Sequence, residues 1–195
     1  MRAASWRRHP PGERPRRRAL DHFEPIFETL DRSGVRYVVV GGVAVNLHGH
    51  QRFTKDLDLA LDLSDRELLG ALRALAGAGY RPTVPVRVED FADARIRDRW
   101  VLEKNMQVFQ MYHDARRVTV DIMLSMPVAF DELWKDAVEV RLDRATVKVA
   151  SLEHLIRMKR DAGRPQDVID VDALETIRRL LAEREERSEG EGGER

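Results

Sequence analysis

The amino-acid sequence predicts one mixed α/β domain, with a central sheet flanked by helices and a helical C-terminal portion. Two observations predict it. Short runs of β-branched residues alternate with stretches in which apolar residues recur at helical spacing, and the domain ends with two helical stretches that have no strand between them. The chain has 195 residues, of which 43% are hydrophobic. Since about 100–200 residues usually form one domain, we expect a single core.

The first half of the domain is expected to alternate helices with strands. Apolar residues from Leu20 to Leu30 follow helical spacing, and Tyr37–Val40 is typical of a short buried strand. Val43–His48 predicts a short helix, and the strict alternation of Asp56–Asp62 predicts a strand with two unlike faces. Asp65–Ala78 completes this half as a helix whose leucine stripe belongs to the core.

The second half is predicted with one gap. Pro82 and Pro85 interrupt the stretch from Tyr80 to Arg99, and its pattern favours no element. Beyond it the sequence predicts strands at Met106–Tyr112 and Val118–Leu124, a hairpin of Glu139–Leu142 with Thr146–Val149, and helices at Leu152–Asp161 and from Pro165 to about Ala182.

The two ends of the chain differ from the domain in composition. Residues 1–19 carry seven arginines against one acid, and residues 183–195 are rich in Glu and Gly. Because neither end shows apolar periodicity, both are expected to be disordered tails. The domain should therefore span residues 20–182, with its sheet portion in 20–150 and its C-terminal helices in 151–182.

Composition excludes several classes of protein. The chain has no cysteine, which removes disulfides, thiolate zinc sites and cysteine nucleophiles. No window approaches the roughly 18 consecutive apolar residues of a membrane span. We expect a soluble, cytoplasmic protein in which carboxylates or histidines hold any metal. The basic tail suits contact with phosphate backbones, and it suits a merely solvated extension equally well.

The first feature with chemical meaning is the glycine pair Gly41-Gly42, which follows a buried strand and precedes a short helix. Glycine lets the backbone approach a ligand closely, and the N–H groups at the start of a helix attract phosphate. A tight structural turn would have the same sequence, so this feature alone decides nothing.

The second feature is the acid pair of Asp56 and Asp58. Residues two apart in a strand project from the same face, so both carboxylates point together while Leu57 and Leu59 face the core. Mg²⁺ prefers oxygen ligands and usually takes one or two carboxylates together with substrate phosphates. Asp62 shares this face but lies about 13 Å farther along, at about 3.3 Å per residue, and is expected to be a strand-end acid.

The third feature is Asp121, which interrupts the β-branched strand Val118–Ile122. A charge in a central sheet is costly unless it is paired or bound to a metal. Alternation places Asp121 on the face opposite to Val120. If this strand lies beside the strand of Asp56 and Asp58, the three carboxylates converge and could hold two Mg²⁺ ions for in-line phosphoryl chemistry.

The residues from Gly41 to Asp58 resemble the signature of the nucleotidyltransferase superfamily: a small-residue pair, a short helix and an Asp-x-Asp strand. The fuller pattern, with Arg52-x-Thr54-x-Asp56-Leu-Asp58 and the later segments 150–159 and 163–170, is similar to AbiEii-type minimal nucleotidyltransferases. The resemblance implies a polymerase-β-like nucleotidyltransferase fold. Proteins of this type often act as toxins of toxin–antitoxin or phage-defence systems.

The resemblance also implies a role for each matching residue. Asp56, Asp58 and Asp121 would be the catalytic carboxylates at a site for Mg²⁺ or Mn²⁺. Asp121 would be placed to bind the second metal or to activate the attacking hydroxyl. The remaining residues would bind the nucleotide: Gly41, Gly42, Arg52, Thr54 and Lys159. Many members have Gly-Ser at the turn, whereas this chain has Gly-Gly and lacks the serine hydroxyl.

Other polar residues near the motif have two interpretations each. Arg52 could contact phosphate or could be an ordinary surface arginine. His48 and His50 could form a metal pair, although a helix-end role is favoured because no third histidine lies nearby. Arg164 and Asp167 could touch nucleotide or form a local ion pair at a helix start.

The function expected is therefore metal-dependent transfer of a nucleoside monophosphate from an NTP to an acceptor hydroxyl, with release of pyrophosphate. The resemblance and the basic tail favour RNA, especially tRNA, as acceptor and suggest a cognate antitoxin as partner. One alternative is a non-catalytic binding module built on the same fold. A dinucleotide-binding Rossmann protein is disfavoured, because the G-x-G-x-x-G spacing is missing.

Overall fold

A computed structural model describes the backbone of residues 20–192, and the side chains of residues 20–188 apart from that of residue 65. The predicted basic tail, residues 1–19, lies outside the described residues. The predicted fold class is confirmed: the chain forms one mixed sheet with flanking helices and a helical C-terminal portion.

The elements of the first half agree with the prediction to within a few residues. They are α1 (Glu24–Ser33), β1 (Tyr37–Val39), α2 (Gly41–His48), β2 (Asp56–Leu61) and α3 (Asp65–Gly77). Pro25 lies in the first turn of α1, where its missing N–H has no cost, and Gly34 ends the helix in the left-handed conformation. The leucine stripe of α3 is buried as expected.

The second half contains the predicted strands and hairpin together with three helices that the sequence pattern did not indicate. Its elements are β3 (Arg81–Pro82), α4 (Val88–Ala92), α5 (Ala94–Lys104), β4 (Val108–His113), β5 (Val118–Met123), α6 (Phe130–Asp136), β6 (Val138–Arg141), β7 (Thr146–Val149), α7 (Leu152–Ala162) and α8 (Pro165–Gly192). The stretch without a prediction thus holds β3, α4 and α5. The side chain of Asp93 caps the start of α5 by accepting hydrogen bonds from the backbone N–H groups of Arg95 and Ile96.

The seven strands form a single sheet in the order β3-β4-β5-β2-β1-β7-β6. At its centre β2 pairs in parallel with β5 and antiparallel with β1, and β1 in turn pairs in parallel with β7. The helix α2 therefore lies in the connection between two neighbouring antiparallel strands, and its first residues follow directly on the end of β1. This topology brings the start of α2 to the end of β2 at which Asp56 and Asp58 lie.

The core covers the sheet with the residues that alternation assigned to it. Leu57, Leu59 and Leu61 of β2 are fully or almost fully buried. Phe91 of α4 stacks on Phe109 of β4 with ring centroids 3.7 Å apart. Aromatic pairs of this kind add to the stabilisation from burial. The stretch from Tyr80 to Arg99, for which the sequence pattern favoured no element, therefore packs on the sheet through an aromatic contact and not through a stripe of apolar residues at helical spacing.

The C-terminal helix is longer than predicted. The sequence suggested a disordered tail from residue 183, but α8 continues to Gly192. The missing apolar periodicity marks a helix whose residues 178–188 are exposed, rather than a disordered tail. Glu and Arg are good helix formers, and Arg187 lies 4.0 Å from Glu183 one turn earlier.

None of the helices formed by residues 20–192 is long and apolar enough to cross a lipid bilayer.

Candidate active site

The parallel pairing of β2 with β5 places two carboxylates side by side. In this register Asp58 is the direct partner of Asp121, and Asp56 is the partner of Thr119. Neighbouring strands lie about 4.8 Å apart, so the side chains of Asp58 and Asp121 leave the same face of the sheet as close neighbours. The predicted adjacency of the two acidic strands is thus confirmed.

Burial, and after it the nearby like charges, changes the acidity of both groups. Burial, and after it the charge of Asp121, raises the pKa of Asp58 to about 6, although the Gly42 N–H and the Lys159 ammonium oppose the shift. Burial also raises the pKa of Asp121, while a hydrogen bond from Gln110 and the charge of Asp56 act in opposite directions. The protein thus holds acids together that repel one another in the absence of a cation.

The glycine turn lies against Asp58. The backbone N–H of Gly42 donates a hydrogen bond of 3.3 Å to Oδ2 of Asp58, at the start of α2. Gly41 has a φ of +60°, and a Cβ at this position would lie 2.0 Å from the same oxygen. Glycine is therefore required at position 41 by both conformation and space, and the carboxylate occupies the anion-attracting end of the helix.

Arg52 lies on the other side of this turn. Its backbone N–H and C=O form a reciprocal pair of hydrogen bonds, 2.8 and 2.9 Å long, with the side-chain amide of Asn46 in α2. A Cβ on Gly42 would lie 2.6 Å from Nη2 of Arg52 and 2.8 Å from Oγ1 of Thr54. In this chain the glycine at position 42 thus leaves space for the guanidinium of Arg52, with which a serine side chain at the same position would clash.

An ionic cluster anchors Arg52 and Lys159. Asp170 of α8 has no exposed surface, and its two oxygens lie 3.2 Å from Arg52 Nε and 2.8 Å from Lys159 Nζ. Lys159 also donates to Asp167 over 2.7 Å, and Gln166 donates to Asp170 over 3.1 Å. Burial raises the pKa of Asp170, but the hydrogen bonds from Lys159 and Gln166 outweigh it and hold that pKa below its ordinary value.

The three acids, the glycine turn, Arg52 and Lys159 line one cavity of about 470 Å³ between the sheet and the two C-terminal helices. The acids and the glycine turn form one side, and α7 and α8 contribute the other through Met158, Lys159 and Gln166. A volume of this size is typical of sites for small molecules and cofactors. All eight site residues expected from the sequence lie on this cavity: Gly41, Gly42, Arg52, Thr54, Asp56, Asp58, Asp121 and Lys159.

The structure decides several of the open alternatives. Arg52 is not an ordinary surface arginine, since only 21% of its side chain is exposed and its Nε lies beside a buried carboxylate. His48 Nε2 lies 2.8 Å from the carbonyl oxygen of Ala150, which supports a structural role at the end of α2. Asp62 forms an ion pair with Arg36 at the end of β2, as expected of a strand-end acid.

The C-terminal pair of Arg164 and Asp167 acts differently from a local ion pair. Asp167 accepts hydrogen bonds from the backbone N–H of Arg164 and from the ammonium of Lys159. It thereby caps the start of α8 and helps to fix Lys159. Two residues that contact the site were not identified from the sequence: Asp170 as the anchor of Arg52, and Gln110, whose amide donates to Asp121 Oδ1 over 3.0 Å. Asp170 lies about one and a half turns into α8, and no local pattern of apolar residues indicates that this acid is buried.

The donor set suits a hard divalent cation. Three carboxylates face one cavity, and their repulsion is only partly offset by Gly42 and Lys159. Within residues 20–192, however, no group of three or more Asp, Glu or His side chains is already arranged to hold a metal ion. Carboxylates are the protein ligands that Mg²⁺ prefers, so the residue types fit, and binding would draw the side chains together.

The sheet order, the glycine turn before a short helix and the acids on two adjacent parallel strands define a nucleotidyltransferase of the polymerase-β-like fold. The sequence profile of the family described as "Nucleotidyl transferase AbiEii toxin, Type IV TA system" matches residues 28–189. Because the match covers most of the chain, the protein belongs to the AbiEii nucleotidyltransferase family. Comparison with curated protein sequences finds no match.

Solved structures show the same fold. The lincosamide antibiotic adenylyltransferase LnuA, determined with lincomycin bound, matches with a TM-score of 0.55 at 17% identity, over 80% of this chain and 96% of its own. The antibiotic-resistance factor ANT(2'')-Ia has a TM-score of 0.51 at 14% identity, covering 90% and 97%. The Thermotoga maritima protein TM1012 has a TM-score of 0.51 at 19% identity, covering 85% and 94%.

The close approach of Gly41 to Asp58 predicts the cost of a methyl group at this position. Gly41→Ala should lower the free energy of unfolding by about 1 kcal/mol for the left-handed conformation, and by about 1–3 kcal/mol more for the overlap with Asp58. Gly34→Ala is the matched control, since Gly34 has a φ of +74° with nothing within 4 Å of an added Cβ. Urea denaturation measures both variants, and equal losses would contradict the close approach.

The raised pKa of Asp58 predicts a stability that depends on pH in the metal-free protein. The folded-state pKa of about 6 lies above the ordinary value of 3.8, so the protonated acid favours the folded state. That contribution is complete below about pH 4 and is lost as the pH rises through about 6. Asp58→Asn should therefore gain stability over the wild type across this window, by up to about 3 kcal/mol above it.

This gain is measured by urea denaturation in EDTA at several pH values from about 4 to 8. Asp114→Asn, in the exposed turn between β4 and β5, serves as the control for loss of a carboxylate. A difference between Asp58→Asn and the wild type that stays constant over this pH range would contradict the raised pKa of Asp58 in the folded protein.

Proposed function

We propose that this protein is a Mg²⁺- or Mn²⁺-dependent enzyme that transfers a nucleoside monophosphate from an NTP to an acceptor hydroxyl, with RNA as the favoured acceptor, and that it acts as the toxin of a toxin–antitoxin pair. One observation carries the chemical part of the proposal. The carboxylates of Asp58 and Asp121 lie side by side, in register, in the cavity that also contains the start of α2.

In the proposal, Asp56, Asp58 and Asp121 hold the cation. Their oxygens are the donors that Mg²⁺ prefers, and three carboxylates in one cavity leave negative charge to be neutralised. Gln110 holds one oxygen of Asp121 and so fixes the plane of this carboxylate. When bound, the cation supplies neutralisation of the triphosphate and a lower cost for deprotonating the attacking hydroxyl.

The triphosphate is assigned to the glycine turn and its basic neighbours. The start of α2 presents backbone N–H groups and the positive end of the helix dipole. Arg52 lies directly behind Gly42, and its charge is held there by Asp170. Thr54 Oγ1 donates to the carbonyl of Asp56 over 3.2 Å and keeps the approach to β2 extended.

Lys159 has an indirect role in this proposal. Its ammonium lies between Asp167 and Asp170 at 2.7 and 2.8 Å. The ammonium therefore acts on the triphosphate by long-range electrostatic attraction across the cavity rather than by a hydrogen bond. Its charge also counteracts the repulsion around Asp58. In the reaction, the acceptor hydroxyl attacks the α-phosphorus, its proton passes to Asp121, and pyrophosphate leaves; the protein contributes positioning and electrostatics.

Three observations bear on the partner and the acceptor of the transfer, and the third of them favours a different acceptor. The family is described as a toxin of a type IV toxin–antitoxin system, which supports a cognate antitoxin as partner. The arginine-rich residues 1–19 favour a polyanionic acceptor such as RNA, in particular tRNA 3′ ends. A small-molecule acceptor is the second candidate, because LnuA binds lincomycin and ANT(2'')-Ia has been seen with adenylyl-2''-tobramycin.

The proposal predicts transfer of label from α-³²P-labelled NTPs in the presence of Mg²⁺. Each of the four NTPs is offered with total RNA, with tRNA and with protein, and the products are separated by electrophoresis. RNA should be labelled, and Asp121→Asn should lower the rate at least about 100-fold, because loss of about 2.7 kcal/mol of transition-state stabilisation has this effect.

Asp114→Asn, seven residues earlier in an exposed turn, is the matched control and should label RNA at the wild-type rate. Thermal denaturation of both variants verifies that they are folded. Label transfer by Asp121→Asn at the wild-type rate would contradict the assignment of the acids. Absence of label on RNA, with label on a small hydroxylated compound, would replace RNA by the second candidate.

A further inference from the structure

The segment between α2 and β2 presents an aromatic side chain to solvent. Residues 51–55 alternate, so that Arg52 and Thr54 are partly buried while Phe53 and Lys55 are exposed. Phe53 has 79% of its surface exposed and lies on the rim of the same cavity as the three acids. Its position follows from its neighbours, because Arg52 is held by Asn46 and Asp170 and Asp56 begins β2.

The exposure of this phenyl ring has no structural reason within the described residues. The five other phenylalanines of the chain are at least partly buried, and Phe53 pairs with none of the aromatic rings in residues 20–192. Among the described residues, its one ring contact is with the Lys55 ammonium, which lies 5.7 Å from the ring centroid. An apolar ring at the mouth of a charged cavity has one face available to a ligand.

The distance from Phe53 to the reacting groups suits a nucleoside. Two residues, Thr54 and Lys55, lie between Phe53 and Asp56, so the Cα atoms of Phe53 and Asp56 are at most about 10 Å apart. The triphosphate is assigned to Gly42 and Arg52, and Arg52 is the residue directly before Phe53. A nucleotide whose phosphates lie at the glycine turn therefore has its base within reach of the rim.

Aromatic side chains stack on nucleobases because every base has a π face. This interaction contributes roughly five- to a hundredfold in affinity per base and tolerates changes of base. A cation beside the ring, such as Lys55, favours the same stack through its attraction to π systems. The cavity thus combines an anionic metal site, a cationic phosphate site and an aromatic rim.

We propose that Phe53 is the stacking surface for the nucleobase of the incoming NTP. The assignment rests on the proposed function, since it takes the triphosphate to lie at the glycine turn. It makes Phe53 a determinant of affinity for the nucleoside part of the substrate and leaves the binding of the phosphates to the turn. Because stacking reads no hydrogen-bond pattern, all four NTPs should depend on Phe53, and purine nucleotides most strongly.

Calorimetric binding of MgATP and of magnesium tripolyphosphate tests the proposal. Phe53→Ala should weaken MgATP about tenfold and leave tripolyphosphate unchanged, whereas Phe53→Tyr keeps an aromatic ring and should bind both as the wild type does. Leu102→Ala, at another highly exposed apolar residue, is the control for loss of exposed apolar surface. Thermal denaturation verifies that each variant is folded.

Each other outcome overturns the assignment in a distinct way. MgATP binding by Phe53→Ala at wild-type affinity contradicts stacking on the NTP, and a raised KM for RNA in that variant would then move the ring to the acceptor. Equal weakening of MgATP and tripolyphosphate would show that Phe53 only supports Arg52. Failure of the wild type to bind either ligand would contradict the proposed function itself, whereas failure of the stacking proposal alone leaves wild-type binding intact.

Discussion

The structure depends on the parallel pairing of β2 with β5. This pairing sets Asp58 opposite Asp121 and, because side chains alternate, sends the leucines of β2 to the opposite face, where they form the core. A shift of register by one residue would bury the acids and expose the leucines. The same hydrophobic pattern that stabilises the domain therefore fixes the position of its charged groups. The cost is that burial, and after it the charge of Asp121, raises the pKa of Asp58 to about 6.

The C-terminal helices complete the site from the other side. Asp170 is buried in α8, and it holds Arg52 behind the glycine turn and Lys159 beside the acids. Breaking a buried ion pair leaves an uncompensated charge, so the docking of α7 and α8 on α2 and the charge of the cavity depend on each other. Stability and the proposed substrate binding thus depend on the same residues, and Gly42 is the small residue that makes the arrangement possible.

Short-range patterns were sufficient to predict the acidic face and the order of most elements. Alternation over Asp56–Asp62 assigns each side chain to a face, and the acid in the β-branched strand of Asp121 is visible without a structure. The contact between Arg52 and Asp170 joins residues far apart in the chain, and no local pattern indicates it. The end of α8 differs from the prediction for a related reason, because helix propensity acts there without an apolar stripe.

The central claim is that the repelling acids form the site of a divalent cation. The most direct test is titration of Mn²⁺ into the protein with a non-hydrolysable NTP, followed by electron paramagnetic resonance, for the wild type, Asp121→Asn and Asp114→Asn. The account predicts that Asp121→Asn weakens Mn²⁺ at least about tenfold, since loss of about 1.4 kcal/mol has this effect, and that Asp114→Asn does not. Equal Mn²⁺ affinities in all three proteins would contradict it.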